Sequence, residues 1–349
     1  MRLKGASRSD DTSTMRRGLV AAVIVLAASF AAKPALAASW AQPQIKVVVA
    51  NGLMGPSVSN FRAKQNITRE ELYTAIAAFT GKSQVVVDPD AEVSIAALDA
   101  AVVRALGLRP AAKTFRRKVK DAGLQPPRRL GNEVVARLIW LRYNHPQSDD
   151  NLELRPQDPA TRAEAAYSLA RALQISDWDR DNVEALADSF SLPKYGDWRK
   201  QVLRRAVHFI GYPYVWGGMW EHQQVTFGVT SRGGFDCSGF VWRVYKLQPF
   251  PNGGSLSSVL QGRTTYQMSG EVPKSKRIPF DHLKAADVTF FGAHGRRSSP
   301  SEVDHTGIAL GKGWMIHSSS QGVAFVPLTG WYRDRFAWSR RPLREAGLL

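Results

Sequence analysis

Cysteine is all but missing. Cys237 is the only one in 349 residues, which excludes an intramolecular disulfide and an all-cysteine metal cage. Acidic residues are the second shortage: 30 Asp and Glu stand against 47 Lys and Arg, a formal charge of +17. Such a balance favours anionic surroundings such as nucleic acid, anionic lipid or acidic wall polymer, and says nothing about fold. Long hydrophobic runs are lacking too. The uncharged stretch Gly18 to Ala32 falls short of the roughly 20 apolar residues that a comfortable membrane span needs. What is present is an ordinary globular composition, 44% hydrophobic, too apolar for broad disorder and long enough for two domains.

Arg16-Arg17, the apolar stretch, then Lys33-Pro34 and Ala35-Leu36-Ala37 form a secretory signal pattern. Residues 1–37 are therefore expected to be a signal peptide cleaved after Ala37, leaving a secreted chain with no stable membrane span. Export sharpens the question posed by Cys237, because an unpaired thiol in an oxidising space is a liability unless it has a task. The plain alternative is a buried, inert cysteine serving as a small hydrophobe.

Between Ser39 and Pro193 the chain reads as helices joined by Pro- and Gly-marked turns. Thr68 with Glu71 and Thr161 with Glu164 stand at capping-box spacing ahead of apolar-periodic runs. Similar runs occupy residues 95–107 and 131–143, so four diverged copies of one helical unit are expected. Arg69 and Arg162 lie at helix starts, where a guanidinium beside exposed N–H groups favours an anionic polymer. Pairing of each arginine with a neighbouring carboxylate is the competing reading. The basic stretch from Lys113 to Lys120 and the pair Arg128-Arg129 read as solvated faces. From about Lys194 the composition turns Gly-, Pro- and aromatic-rich with short β patterns, which puts a boundary between a helical domain, 39–193, and a second domain, 194–349.

A thiolate nucleophile needs a lowered pKa, a base, something that orients the base, and oxyanion donors. Asp236 precedes the helical run from Cys237 to Tyr245 as N-cap, so Cys237 falls in the first turn, where unpaired N–H groups favour a thiolate. Among seven histidines, five lie in loops or within a helical run. The other two, His305 and His317, flank a predicted β-hairpin with a three-residue loop, Gly311 to Gly313. In that register they are diagonal neighbours on one Gly/Ala-lined face, while Ile308, Leu310, Trp314 and Ile316 line the other. One imidazole can then act as base and the second orient it. A Cys/His/His metal site has suitable ligand types but lacks short ligand spacing.

The phrase Thr161-Arg162-Ala163-Glu164, echoed by Thr68-Arg69-Glu70-Glu71, resembles the S-layer homology repeat, most closely over residues 130–175. That resemblance implies binding to an anionic cell-wall polymer. The segments Gly211 to Gly218, Phe235 to Val241, Ala286 to Phe291, and His305-Thr306-Gly307-Ile308 with Ile316-His317-Ser318 resemble, in order, the NlpC/p60-type papain-like cell-wall cysteine peptidases. The resemblance implies an α+β fold, a papain-like domain in which the cysteine helix packs on an antiparallel sheet, preceded by an all-α repeat domain. It implies Cys237 as nucleophile, His305 as base and His317 as orienting residue, with Tyr214 on the oxyanion side and Asp236 and Ser238 near the substrate. Asp287 is expected to brace a turn. The substrate class implied is the peptidoglycan stem peptide, cut at a γ-D-glutamyl–diamino acid bond without cofactor or metal.

Two stretches depart from the family pattern, Met219 to Gly234 and His294 to Val303, and both are expected to border the cleft. The alternative function is a non-catalytic wall-binding protein with an inactive papain-like domain. Nucleic-acid binding would suit the charge but not export, nor the absence of an aromatic-interleaved basic groove.

Overall fold

A computed structural model describes residues 39–143 and 153–349; the expected signal peptide, residues 1–37, lies outside them. The first half is helical: α1 (Gln42–Ala50), α2 (Arg69–Thr80), α3 (Ile95–Ala105), α4 (Arg109–Asp121), α5 (Leu130–Leu138), α6 (Arg162–Ala172) and α7 (Asp177–Ser189). Three of these helices, α2, α3 and α6, start alike, as α7 also does from Ser176. Thr68, Ser94 and Thr161 are extended N-caps whose hydroxyls accept from the backbone N–H three residues on, which satisfies one of the donors that a helix start leaves open. At Thr68 the return bond from its own N–H to Glu71 completes the capping box.

The residues before these caps meet. Ile67 N–H donates to Ala160 O, Ala160 N–H to Val93 O, and Val93 N–H back to Ile67 O, at 2.9, 2.7 and 3.1 Å. Three arms that are distant in sequence thus close a ring around three buried apolar side chains, Ile67, Val93 and Ala160. The fourth predicted copy has no such cap: Arg129 stands before α5 without a side-chain bond to the helix. Instead α5 carries Glu133 and Arg137, both buried, toward the second half.

That half begins with α8 (Asp197–His208), followed by β1 (Met219–Trp220), β2 (Gln224–Thr226), β3 (Val229–Ser231), β4 (Gly234–Phe235) and α9 (Cys237–Tyr245). Short helices α10 (Leu256–Val259) and α11 (Thr265–Gly270) precede β5 (Val288–Gly292), β6 (Val303–Gly311), β7 (Trp314–Ser319), β8 (Gly322–Pro327), α12 (Trp331–Arg335), β9 (Phe336–Arg340) and α13 (Pro342–Glu345). The last five strands form an antiparallel sheet in the order β8-β7-β6-β5-β9. Its Ile308, Leu310, Ile316, Val323 and Phe325 belong to the same buried cluster as Phe240, Val241 and Val244 of α9. The opposite face carries Phe291, Met315, Val326, Leu328 and Phe336 under α12. This is the expected α+β arrangement, a cysteine-bearing helix on an antiparallel sheet after an all-helical half.

The two halves share one core. Arg137 donates to Gly211 O at 2.6 Å, Gln321 donates to Arg137 O at 3.1 Å, and Tyr195, next to the predicted boundary, donates its hydroxyl to Leu310 O of β6 at 2.8 Å.

The β6–β7 hairpin differs from its predicted shape. Its turn has two residues, Lys312 and Gly313, both at positive φ (48° and 77°), as a tight hairpin matching the right-handed strand twist requires. Gly311 pairs with Trp314, and the register shift between Ala309 and Gly311 absorbs the extra residue. Beyond that shift Ile308 pairs with Ile316, the register expected, so His305 and His317 keep their common face.

Candidate active site

Asp236 is extended, and its Oδ1 accepts from Gly239 N at 2.5 Å, the N-cap bond that starts α9 on Cys237. Gly239 has no substitute here, since a Cβ would run into the carbonyl oxygen of Gly218 and the Arg263 guanidinium. The tip of α9 meets β6 beside the residues that flank His305. Cys237 Sγ lies 4.0 Å from Asp304 O, and the nearby Thr306 backbone N–H favours the thiolate.

The histidines form a chain. His305 Nε2 and His317 Nδ1 are 2.7 Å apart, and His317 Nε2 is 3.4 Å from the hydroxyl of Tyr332. An ion cannot fit between imidazole nitrogens already in hydrogen-bond contact, and among the described residues no cluster of His, Cys, Asp or Glu has the shape of a metal site. Phe291, Trp331 and Tyr332 pack around the His305 ring. His317 is fully buried. Burial lowers the pKa of His305 to about 4 and that of His317 well below the ordinary imidazole value, with His305 adding to the effect. Both rings are therefore neutral at pH 7, and one proton per ring has to be shared along the chain. If His317 donates Nε2–H to Tyr332, its Nδ1 accepts from His305 Nε2–H, and His305 Nδ1 is left with a free lone pair.

The expected thiolate is not met in the free protein. Cys237 is 7% exposed, and burial pushes its thiol up to about 12, the Asp236 carboxylate adding to the rise while the N–H groups of Thr306 and Ser238 and the Arg263 charge oppose it. Desolvation of the sulfur outweighs the helix tip. Cys237 and His305 make no hydrogen bond with each other, a looseness common where a substrate has yet to close the site. The resting pair is thus a neutral thiol near a neutral imidazole.

Around Cys237 runs a cleft of about 430 Å³. Tyr214, Asp236 and Ser238 line it as expected, and burial raises the Tyr214 pKa, the nearby sulfur adding to the shift. Asp236 has little left to offer a ligand: besides the Gly239 bond it accepts from Gly217 N at 3.0 Å, Ser238 Oγ at 3.1 Å, and Arg263 at 3.1 Å on each oxygen. Arg263 also donates to Ser238 Oγ at 2.7 Å and to Gly217 O and Gly218 O at 3.1 Å each. No local pattern marks Arg263, because its partners lie 25–46 residues away. Tyr332 was equally silent. Asp287 braces the turn before β5, accepting from Lys284 N at 2.8 Å and from Arg341 at 2.7 and 2.8 Å.

Of the two departures from the family pattern, Met219 to Gly234 borders the cleft through Met219, Thr226 and Phe227. The other does not. Residues 294–303 pack on α11, with Thr265 Oγ1 donating to Val303 O at 2.7 Å and Ser269 Oγ to Pro300 O at 3.5 Å. The prospective polymer-gripping arginines are both engaged. Arg162 is 4% exposed, donates to Phe61 O at 2.8 Å, and pairs with Glu71; Arg69 is more open and pairs with Asp88 at 3.2 Å.

Comparison with known proteins fits this geometry. The model of the NlpC/P60 family matches residues 211–341, and that of the S-layer homology domain matches residues 35–72. The latter match takes in α1 and the first capped arm, not residues 130–175, where the motif resemblance is strongest. A gamma-D-glutamyl-L-lysine dipeptidyl-peptidase of Bacillus subtilis (strain 168) is 30% identical over 131 residues, which is 37% of this chain and 35% of that protein. One of the same name from Bacillus cereus (strain ATCC 10987 / NRS 248) is 33% identical over 141 residues, 39% of this chain and 34% of that protein. The match thus spans about a third of the length of these relatives. A crystal structure of an NlpC/P60 family protein from Bacillus cereus ATCC 10987 aligns with 44% of this chain and 43% of its own at 25% identity, with a TM-score of 0.32.

Proposed function

We propose that this chain, which carries an NlpC/P60 domain over residues 211–341, is a secreted cysteine endopeptidase that cuts peptidoglycan stem peptides. The bond proposed is that between γ-D-glutamyl and the diamino acid, in keeping with the names of the similar gamma-D-glutamyl-L-lysine dipeptidyl-peptidases. One observation carries the reading: the 2.7 Å contact of His305 with His317 on the strand whose backbone cradles the Cys237 sulfur. Residues 194–349 act as the peptidase and residues 39–193 hold it on an anionic wall polymer, which raises the local substrate concentration.

Chemistry starts from the neutral pair. As Cys237 Sγ bonds to the scissile carbonyl carbon, its proton passes to His305 Nδ1. The oxyanion takes N–H donors at the tip of α9 and the Tyr214 hydroxyl. His305 then gives that proton to the leaving amine as the C–N bond breaks. Water, deprotonated by the same nitrogen, next cleaves the thioester. His317 holds the ring so that Nδ1 stays the basic nitrogen.

The test is digestion of defined muropeptides by the mature protein and by Cys237→Ala, read by mass spectrometry. The wild type is expected to release fragments ending at the γ-D-glutamyl residue, and the variant none. Identical fragments from both forms would remove Cys237 as nucleophile. Binding without cleavage by both would leave a wall-binding protein with an inactive papain-like domain.

A further inference from the structure

The segment from Met219 to Gly234, unlike the family pattern, builds a hairpin whose tip overhangs the cleft. Its turn residues Phe227 and Gly228 both have positive φ, 50° and 80°, a conformation that is costly for a bulky aromatic. Phe227 is nevertheless 80% exposed. Its ring is laid against Gly217, where a Cβ would meet Phe227 Cε2 at 2.7 Å, so the side chain is parked on bare backbone. Beside Gly217 stands Trp216, 71% exposed, and across the cleft lies Tyr266, 51% exposed. Three aromatics are thus held out to solvent within the cavity that contains Cys237.

Both carboxylates in that cavity are paired with arginines. Asp236 is held by Arg263 and Asp304 by Arg335 at 2.5 Å. A stem peptide with a free amino terminus would bring an ammonium group into a cleft without an unpaired carboxylate to receive it. A stem still amide-linked to its sugar brings no charge there. It brings a pyranose ring, whose C–H face suits the π-face of an aromatic side chain.

We propose that Phe227 and Trp216 form a sugar-stacking platform, so that the cleft selects stem peptides still attached to glycan over released peptides. The proposal rests on the reading of stem peptides as ligands, yet its test does not require that they be cut. Calorimetry on the otherwise intact Cys237→Ala protein would compare a disaccharide-linked tripeptide with the same tripeptide free at its amino terminus. The sugar-linked form is expected to bind about tenfold more tightly.

Phe227→Asn, chosen because Asn tolerates the turn's left-handed backbone, and independently Trp216→Ser, should each shrink that ratio toward one. Unchanged melting temperatures would show the fold retained. Equal binding of the two ligands by the parent, or a ratio untouched by both substitutions, overturns the platform. Preferential binding of the sugar-linked form together with no turnover by the wild type would sustain the platform and remove the peptidase reading.

Discussion

Arg263→Met is the most informative single change outside the proposed Cys237, His305 and His317 chain. The arginine makes five hydrogen bonds, two to Asp236, one to Ser238 and two to the carbonyls of Gly217 and Gly218. Stripping one partner from a fully buried ion pair costs about 3–5 kcal/mol. Here the pair is partly wet, with side chains 25% and 13% exposed, and Asp236 would keep its bonds from Gly217 N and Gly239 N. The loss is therefore nearer 2 kcal/mol, or a drop of about 3 °C in melting temperature for a chain of this size.

A second effect has its own sign. Asp236 raises the Cys237 pKa and Arg263 lowers it, so removing the arginine leaves an uncompensated carboxylate beside the sulfur and alkylation of Cys237 at pH 8 slows further. Asp236→Asn acts oppositely and speeds labelling. The double variant should label faster than Arg263→Met alone, because the charge that the arginine screened has gone. Scanning calorimetry and iodoacetamide kinetics on the three variants check both effects. An Arg263→Met protein that melts within a degree of wild type, or labels faster, would refute the electrostatic account.

Two further outcomes follow from the geometry. His305, at about 4 when folded against an ordinary value near 6.5, binds fewer protons in the native than in the unfolded state between those pH values. Stability should thus be full above pH 6.5 and fall toward pH 4, by at most about 3 kcal/mol from this ring; urea midpoints across that range should shift less in His305→Gln, and an equal shift would discount the ring. Lys312→Asn, at the positive-φ turn of the β6–β7 hairpin, should stabilise by about 0.5 kcal/mol, measured as a higher urea midpoint; a lower one would mean that Lys312 has a partner worth more than the backbone strain.

What was legible in the sequence was local. Asp236 as N-cap fixed Cys237 in the first turn, and strand periodicity put both imidazoles on one face even though the hairpin loop was a residue shorter than expected. The thiol's ionisation departs from the expectation for a definite reason: a helix tip is a sequence-local feature, whereas the burial that overrides it is created only by the tertiary fold. Arg263 and Tyr332 escaped notice because only tertiary folding makes them neighbours of Asp236 and His317. Among the helices, the Thr caps at 68 and 161 predicted two starts correctly, and the structure adds Ser94 as a third, but nothing in their spacing said that residues 67, 93 and 160 would bond to one another.

That closed circuit of backbone bonds changes how the helical half can be edited. In an open stack of repeats the outermost unit can be trimmed while the remainder keeps its pairings. A hoop has no outermost member: excising any arm strands one N–H and one carbonyl in the apolar centre and loosens the other two arms together. Change in this half is therefore confined to the helix exteriors and connecting loops, and truncated forms are better cut on either side of the whole circuit than between its arms.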